Sequence, residues 1–257
     1  MPQEIAYDDE YFGIAYLDKT GNEECFVPKG NIFSIDKIYI DTDTCETYYA
    51  VTTDNLGQKS HFTIARSHAY SAREITKYAL NGLDVTDANK HIVIDVFRML
   101  EKEYIEKKNA ILYVHSLCGV KNCKDMDGNN CFVYAGETNP LNGSKYVGNF
   151  DIKPNGSFDT WKTMVKDVIQ DNTALAFIIS YGFSAILHGI LRDSVDTDNW
   201  CVHLRGESTT GKTTSLMLAI SIFGNPSSNS SNGLISSWNS TSNALLRRML
   251  CSKRKYL

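Results

Sequence analysis

The amino-acid sequence predicts a mixed α and β protein: an α+β N-terminal domain, then a helical connector and the start of an α/β core. Three observations support this fold class. Short segments rich in β-branched and aromatic residues alternate with turn residues over the first quarter of the chain, as in antiparallel sheets. Two segments with helical apolar spacing, 157–170 and 173–191, follow later. Near the C-terminal end, a short apolar segment leads through a glycine-containing loop into another helical pattern.

The N-terminal domain begins with predicted strands that form an antiparallel β-region. These strands are 12–17, 24–28, 32–40, 47–53 and 61–65. Asp54-Asn55-Leu56-Gly57 is predicted to be a hairpin loop, because Asn and Gly tolerate positive φ. A helix is predicted to begin at Ser71, whose spacing from Glu74 matches an S-x-x-E capping box. A second helix is predicted to begin at Thr86 or Asp87.

Two more strands are predicted to complete this domain, at 111–114 and 131–134, on either side of a turn at Asp127-Gly128-Asn129. A loop rich in glycine then marks the domain boundary. Its turn-forming residues are Gly143, Gly148, Pro154 and Gly156. The predicted domains are therefore 1–156 and 157–257.

The second domain begins with the helical connector. An amphipathic helix is predicted from Ser157 to Gln170, and Asp171-Asn172 can cap the next helix, 173–191. An acidic loop then contains Asp193, Asp196 and Asp198.

A strand at 200–204 and a helix at 213–223 are predicted on either side of the glycine loop, and the helix ends at Gly224-Asn225-Pro226. The order strand, loop, helix would place the loop at the N-terminal end of a helix.

Composition indicates a soluble globular protein, with 42% apolar and 22% charged residues. The seven cysteines are an odd number at irregular spacing, and the N-terminal segment lacks the layout of a signal peptide. A cytoplasmic protein with reduced thiols is therefore predicted.

Charge is divided unevenly along the chain. The net charge is −4, yet six cations and no acidic residue follow Glu207. The cations of the extreme C-terminal tail are Arg247, Arg248, Lys253, Arg254 and Lys255. This tail could bind nucleic acid through counterion release or could simply be solvated, and the sequence leaves both interpretations open.

The glycine loop carries the most specific motif. Gly206-Glu207-Ser208-Thr209-Thr210-Gly211-Lys212-Thr213 fits the phosphate-binding pattern G-x-x-x-x-G-K-[ST]. Its glycines would let backbone N–H groups wrap a phosphate, and a helix beginning near Lys212 would add the positive end of its dipole. The Lys212 ammonium would reach the β- and γ-phosphates, and the Thr213 hydroxyl would ligate Mg²⁺. The predicted nucleotide-binding residues are Gly206, Ser208, Thr209, Thr210, Gly211, Lys212, Thr213 and Thr214.

Other enzyme classes fit less well. Gly206-Glu207-Ser208 begins like the nucleophile elbow of a serine hydrolase, but its pattern requires glycine where Thr210 stands. No H-E-x-x-H occurs, and no G-x-G-x-x-G follows a strand, so zinc protease and Rossmann patterns are missing.

A zinc site is a further alternative, at His115, Cys118, Cys123 and Cys131. Their spacing lacks the tight C-x2-4-C pairs that zinc sites prefer. Buried or partly exposed thiols are the favoured interpretation.

Segment 173–191 has no charged residue over 19 positions, which approaches the length of a membrane span. It contains small and polar residues and lacks a basic flank. These residues are Ser180, Gly182, Ser184, His188 and Gly189. The favoured interpretation is a buried helix beside the nucleotide site, with His188 as a hydrogen-bonded core residue and no membrane contact.

The segments 201–214, Gly224-Asn225-Pro226 and 237–245 resemble the domain-of-unknown-function 927 family of phages and integrated mobile elements. The resemblance also covers 173–191 and, more diffusely, the α+β region before it. It implies a P-loop NTPase core of helicase-like or primase-helicase-like type, with ATP and Mg²⁺ as ligands. It also implies DNA as a partner, and an oligomer or a partner ATPase subunit.

The sequence departs from this family after the matched segments. In the family, an acidic residue, more helix and a strand ending in the Walker B carboxylates follow the segment similar to 238–245. Here Leu246-Arg247-Arg248-Met249 differs, and no Asp or Glu follows Glu207. P-loop hydrolysis needs such a carboxylate, so a truncated or frame-shifted product with weak or no hydrolysis is expected, and no catalytic residue is assigned.

Two other functions remain open at this point. The N-terminal domain could carry a non-enzymatic module that binds nucleic acid or protein. The chain could also be a decayed gene product.

Overall fold

A computed structural model describes residues 4–18, 24–55, 57–124, 130–191, 201–235, 241 and 243. The fold is mixed α and β, in two compact units, Met1–Val114 and His115–Leu257. The predicted domain boundary near residue 156 stays a prediction. The turn at 127–129, the acidic loop at 193–198, Trp200 and the basic C-terminal tail lie outside the described residues.

The described residues of the first unit form two sheets. Antiparallel strands β1 (Glu4–Tyr7), β2 (Tyr11–Leu17) and β3 (Glu24–Asn31) form one sheet in the order β1-β2-β3. The sequence prediction missed β1, which is a short segment at the sheet edge. The second sheet contains β4 (Phe33–Asp41), β5 (Thr47–Asn55), β6 (Gln58–Ala65) and β7 (Ile111–His115).

In the second sheet β4 pairs antiparallel with β5 and parallel with β7, while β5 pairs antiparallel with β6. Alternation of apolar and polar residues sets which face is buried, and Tyr49, Val51 and Thr53 of β5 all point to the same buried face. The predicted hairpin between β5 and β6 is confirmed. Its closing residue Gly57 has φ +81° and donates its N–H to Asp54 Oδ1 at 2.9 Å.

Helix α2 (Lys90–Glu106) packs its apolar stripe against β4 and β1. The Phe97 ring lies 4.7 Å from the Phe33 ring and 6.0 Å from the Tyr49 ring, measured between centroids. All three side chains are buried, so the apolar faces of α2, β4 and β5 pack together in one core.

The two predicted helix starts in this unit need correction. Ser71 Oγ accepts a hydrogen bond from the Glu74 N–H, as in a capping box. Beyond the four-residue helix α1 (Arg66–Ala69), however, the segment forms a 3-10 helix, Ile75–Asn81, that stops at Gly82 with φ +94°. Helix α2 begins at Lys90, later than predicted, because the Asn89 carbonyl oxygen Oδ1 accepts the Thr86 N–H at 2.7 Å and holds residues 86–89 in a turn.

The described residues of the second unit form a β-hairpin, a further short strand and the helices α3 (Phe158–Ile169), α4 (Thr173–Leu191) and α5 (Lys212–Ile220). The hairpin strands are β8 (Gly119–Lys124) and β9 (Asn130–Ala135), and the short strand is the two-residue β10 (Lys145–Tyr146). Asn172 caps α4 as predicted, accepting the Leu175 N–H at 3.1 Å. Helix α4 contacts α3, α5 and β8.

The predicted strand at 200–204 is wrong for residues 201–204, which have no regular structure. A parallel strand is stable only when neighbouring strands satisfy its N–H and C=O groups. None of the strand pairs in the described part of the chain includes these residues. The glycine loop and helix α5 are formed, but the strand before them is not. The expected strand-loop-helix start of an α/β core is therefore incomplete.

The predicted helix over 173–191 is confirmed, but the prediction that this helix is buried is wrong. Only Ile179 of α4 is buried. Four large apolar side chains of α4 remain 44–58% exposed: Phe177, Phe183, Leu187 and Leu191. By length and composition α4 could cross a bilayer, and 11% of its most apolar window is buried.

Candidate phosphate-binding loop

The backbone of the glycine loop turns sharply before α5. Thr209 has φ +65° and Gly211 has φ +79°, so two of three consecutive residues adopt the left-handed conformation. Gly211 is the N-cap of α5, and the space around its missing Cβ is open. The helix therefore begins at Lys212, one residue before the predicted start.

Lys212 folds back over the loop. Its Nζ donates to the Gly206 carbonyl oxygen at 3.0 Å, to Thr210 Oγ1 at 3.2 Å, and to the Glu207 carbonyl oxygen. The side chain is half-buried although the loop around it is exposed. The ammonium thus lies at the centre of the residues that the motif predicts to surround a phosphate.

The hydroxyl groups of the loop divide into two sets. Thr210 Oγ1 donates to the Glu207 carbonyl oxygen at 2.9 Å, and Thr209 Oγ1 donates to the Ser208 carbonyl oxygen at 2.6 Å, so both stabilise the turn itself. Thr213 and Thr214 lie in the first turn of α5 and are exposed to solvent. Their side chains are accessible to a ligand, whereas those of Thr209 and Thr210 are engaged in the loop.

The residues present fit a phosphate group. A helix N-terminus carries free N–H groups and a partial positive charge, and Lys212 adds a full charge beside it. A Cβ on Gly206 would lie 3.2 Å from Thr210 Oγ1, so a larger residue there would crowd the turn. Anion binding is therefore the chemistry that this geometry supports.

Helices α3 and α4 hold α5 in place. A Cβ on Gly182 of α4 would lie 2.9 Å from the Ala219 carbonyl oxygen, so the two helix backbones approach closely there. From α3, the Trp161 indole N–H donates to Ser221 Oγ at 3.0 Å. The sequence did not predict that Gly182 and Trp161 contact α5. The only signal for such a contact was a glycine in the middle of the apolar segment 173–191.

The rival metal site has no support in the described residues. The His115 ring is fully buried, with Nδ1 2.9 Å from Ser144 Oγ and Nε2 2.7 Å from the Gly136 carbonyl oxygen. Both ring nitrogens are occupied by hydrogen bonds. No group of three potential metal ligands occurs in the described part of the chain, and the Cys123 side chain lies outside it.

His188 differs from its expected role. Its Nε2 is buried without a hydrogen-bond partner within the described ranges, so the predicted hydrogen bond is not formed at that atom. The neighbouring Gly189 lies against Val120 of β8, where a Cβ would be 3.1 Å from the valine side chain.

Comparison with known proteins identifies the family. The domain-of-unknown-function 927 family (DUF927) matches residues 9–252. The chain belongs to this family. The family description, "Domain of unknown function (DUF927)", assigns no activity, and no curated protein matches this DUF927 chain.

A solved structure described as "SCCmec type IV Cch - active helicase" has a similar fold, with a TM-score of 0.55 and 20% sequence identity. The match covers 95% of the DUF927 chain and 45% of the helicase chain, so this chain spans less than half of that protein's length. At this identity the similarity shows the fold alone. The fold of the DUF927 chain is therefore similar to that of part of this solved protein.

Proposed function

We propose that this DUF927 chain is an ATP-binding P-loop module of a helicase-like or primase-helicase-like protein of phages and mobile elements. The observation that carries the proposal is the position of Lys212 Nζ, within hydrogen-bond distance of three loop oxygens at the N-terminal end of α5. A lysine ammonium beside exposed helix N–H groups is suited to the β- and γ-phosphates of a nucleotide.

ATP binding would change the contacts of the loop in a defined way. Lys212 would exchange its loop acceptors for phosphate oxygens, and the N–H groups from Ser208 to Thr214 would surround the phosphates. The Thr213 hydroxyl would ligate Mg²⁺, which neutralises charge on the bound phosphates.

ATP hydrolysis needs a chemical group that ATP binding does not. It needs a carboxylate that holds the magnesium shell and aligns water. Within these 257 residues no acidic residue follows Glu207, and Glu207 itself lies inside the loop. We propose that ATP turnover by these 257 residues alone is absent or very weak.

The first test is Mg²⁺-ATP binding to the purified 257-residue chain by calorimetry, with Lys212→Ala as the matched variant. Binding by the wild type that is lost in Lys212→Ala is the expected result. Absence of binding in both proteins would overturn the proposal and favour an interaction module or a decayed gene product. Robust ATP turnover abolished by Lys212→Ala would overturn the inference of a missing carboxylate.

The proposed function also implies a partner, a cellular location and an assembly for the protein. The solved structure with a similar fold is described as an active helicase, and this supports DNA as a partner of the present protein. We also propose a cytoplasmic location and assembly with further ATPase subunits.

A further inference from the structure

Helix α5 is held at its C-terminal half, far from the loop at its N-terminal end. The Ala219 backbone faces Gly182 of α4, where an added Cβ would lie 2.9 Å from the Ala219 carbonyl oxygen and 3.4 Å from its Cα. Just after α5, Ser221 Oγ accepts the Trp161 indole N–H and itself donates to the Leu218 carbonyl oxygen at 2.7 Å. Contacts from α3 and α4 thus meet the last turn of α5.

We infer that Gly182 and Trp161 are positioning residues for the phosphate loop, an inference that rests on the proposed function. An α-helix transmits displacement along its axis because its hydrogen-bonded backbone is stiff. Lys212 and Ala219 lie seven residues apart on α5, which is a span of about 10 Å. A shift imposed at Ala219 therefore moves the N–H groups and the Lys212 side chain that would bind phosphate.

Relief of the contact at Gly182 requires the backbones of α4 and α5 to move apart. The atoms that a new Cβ would meet include backbone atoms of α5, which cannot rotate away as a side chain can. Gly189, on the same helix, is different, because the three atoms nearest to its added Cβ all belong to the side chain of Val120. Gly182 and Gly189 therefore form a matched pair. Both lie in α4, but the close contact at Gly182 is with α5 and the one at Gly189 is with Val120.

The experiment compares Gly182→Ala with Gly189→Ala in the full 257-residue chain. We expect Gly182→Ala to weaken Mg²⁺-ATP binding by about tenfold or more, since displacement of binding groups on the order of an ångström is costly. We expect Gly189→Ala to stay within about twofold of wild type, because the atoms nearest to its added Cβ belong to Val120 and not to α5. Both substitutions change intrinsic helix propensity equally, so this effect cancels in the comparison. Circular dichroism and thermal unfolding would show whether both variants are folded.

Ser221→Ala and Trp161→Phe test the second contact without adding volume. Each removes one partner of the hydrogen bond, and we expect ATP affinity to fall by about three- to tenfold. A fluorescence readout separates positioning from general destabilisation. In a chain with Trp200→Phe and Trp238→Phe, ATP should change the Trp161 emission, and Ser221→Ala should abolish that change.

The outcomes distinguish this inference from the proposed function. If the wild type does not bind ATP, the proposed function fails and this inference fails with it. If the wild type binds but Gly182→Ala and Gly189→Ala bind equally well, only the positioning inference is overturned. If Gly182→Ala does not fold, the decision passes to Ser221→Ala and Trp161→Phe, and wild-type affinity in both would overturn it.

Discussion

Gly211 shows how a single backbone conformation defines the candidate site. Its φ of +79° is in the left-handed region, and its surroundings would accommodate a Cβ. An alanine there is therefore disfavoured by backbone strain alone, at about 1–2 kcal/mol. We expect Gly211→Ala to weaken Mg²⁺-ATP binding, since relief of the strain would turn the loop N–H groups away from the phosphate.

Gly143 provides the control for this prediction. It also has a positive φ, +68°, and open space at its Cβ position, but it lies in the loop before β10. Gly143→Ala should lower the melting temperature to a similar extent and leave ATP affinity unchanged. Equal loss of ATP affinity in Gly211→Ala and Gly143→Ala would show that the loss results from lower protein stability and not from a change in the loop backbone.

Glu101 provides a residue-scale prediction about pH. Burial alone would raise the pKa of its carboxyl, but the ion pair with Arg66 and the hydrogen bonds from Tyr70 and Tyr49 hold it below the ordinary value of 4.5. The Arg66 Nε to Glu101 Oε1 distance is 3.0 Å, and the Glu101 side chain is 17% exposed. A depressed pKa in the folded state means that the stabilisation is fully present above pH 4.5 and is lost as pH falls through the folded pKa.

We therefore expect Glu101→Gln to lower the free energy of unfolding by about 1–3 kcal/mol at pH 7. The difference from wild type should shrink when urea unfolding is repeated below pH 4. Glu106→Gln is the control on the same helix, because Glu106 forms an exposed pair with Lys102 at 3.7 Å. Its cost should stay below about 0.5 kcal/mol. A Glu101 effect independent of pH would contradict the role of its charge.

At the scale of elements, local patterns were predicted well and partner-dependent features were not. The alternation in β4 to β6 and the spacing in α2 are set by side chains within one segment, so sequence alone located them. The sharp turn before α5 is likewise local, with positive φ at Thr209 and Gly211, while phosphate binding by this loop stays a prediction. The strand at 200–204 depends on neighbours that sequence spacing does not reveal, and the approach of Gly182 to Ala219 depends on tertiary packing.

The burial of α4 also depends on tertiary packing that the sequence does not reveal. Its apolar composition suggested burial, yet Leu187 is 58% exposed while Ile179 is 5% exposed. We expect Ile179→Ala to lower the free energy of unfolding by about 2–4 kcal/mol. Leu187→Ala should cost less than about 1 kcal/mol, because little contact is lost. Equal costs in urea unfolding would mean that the Leu187 face of α4 is covered in solution.

At the scale of the whole molecule, every residue assigned to the nucleotide belongs to the second compact unit. We expect ATP to slow hydrogen exchange at the amides from Gly206 to Thr214 and along α5. Exchange in β4, β5 and β6 of the first unit should stay unchanged, as measured by mass spectrometry with and without Mg²⁺-ATP. Protection spread evenly over both units would contradict a site confined to the loop.

The folded-back position of Lys212 has a consequence for the energetics of anion binding. Its ammonium already has three oxygen acceptors within the loop, so an arriving phosphate must compete with them. The affinity for a phosphate would then report an exchange of partners, in which Lys212 loses its contacts with the loop oxygens as it gains contacts with the phosphate. In this respect the loop carbonyl groups would compete with any phosphate for Lys212, and the ligands that bind would be those whose phosphates interact with the ammonium more strongly than these carbonyl groups do.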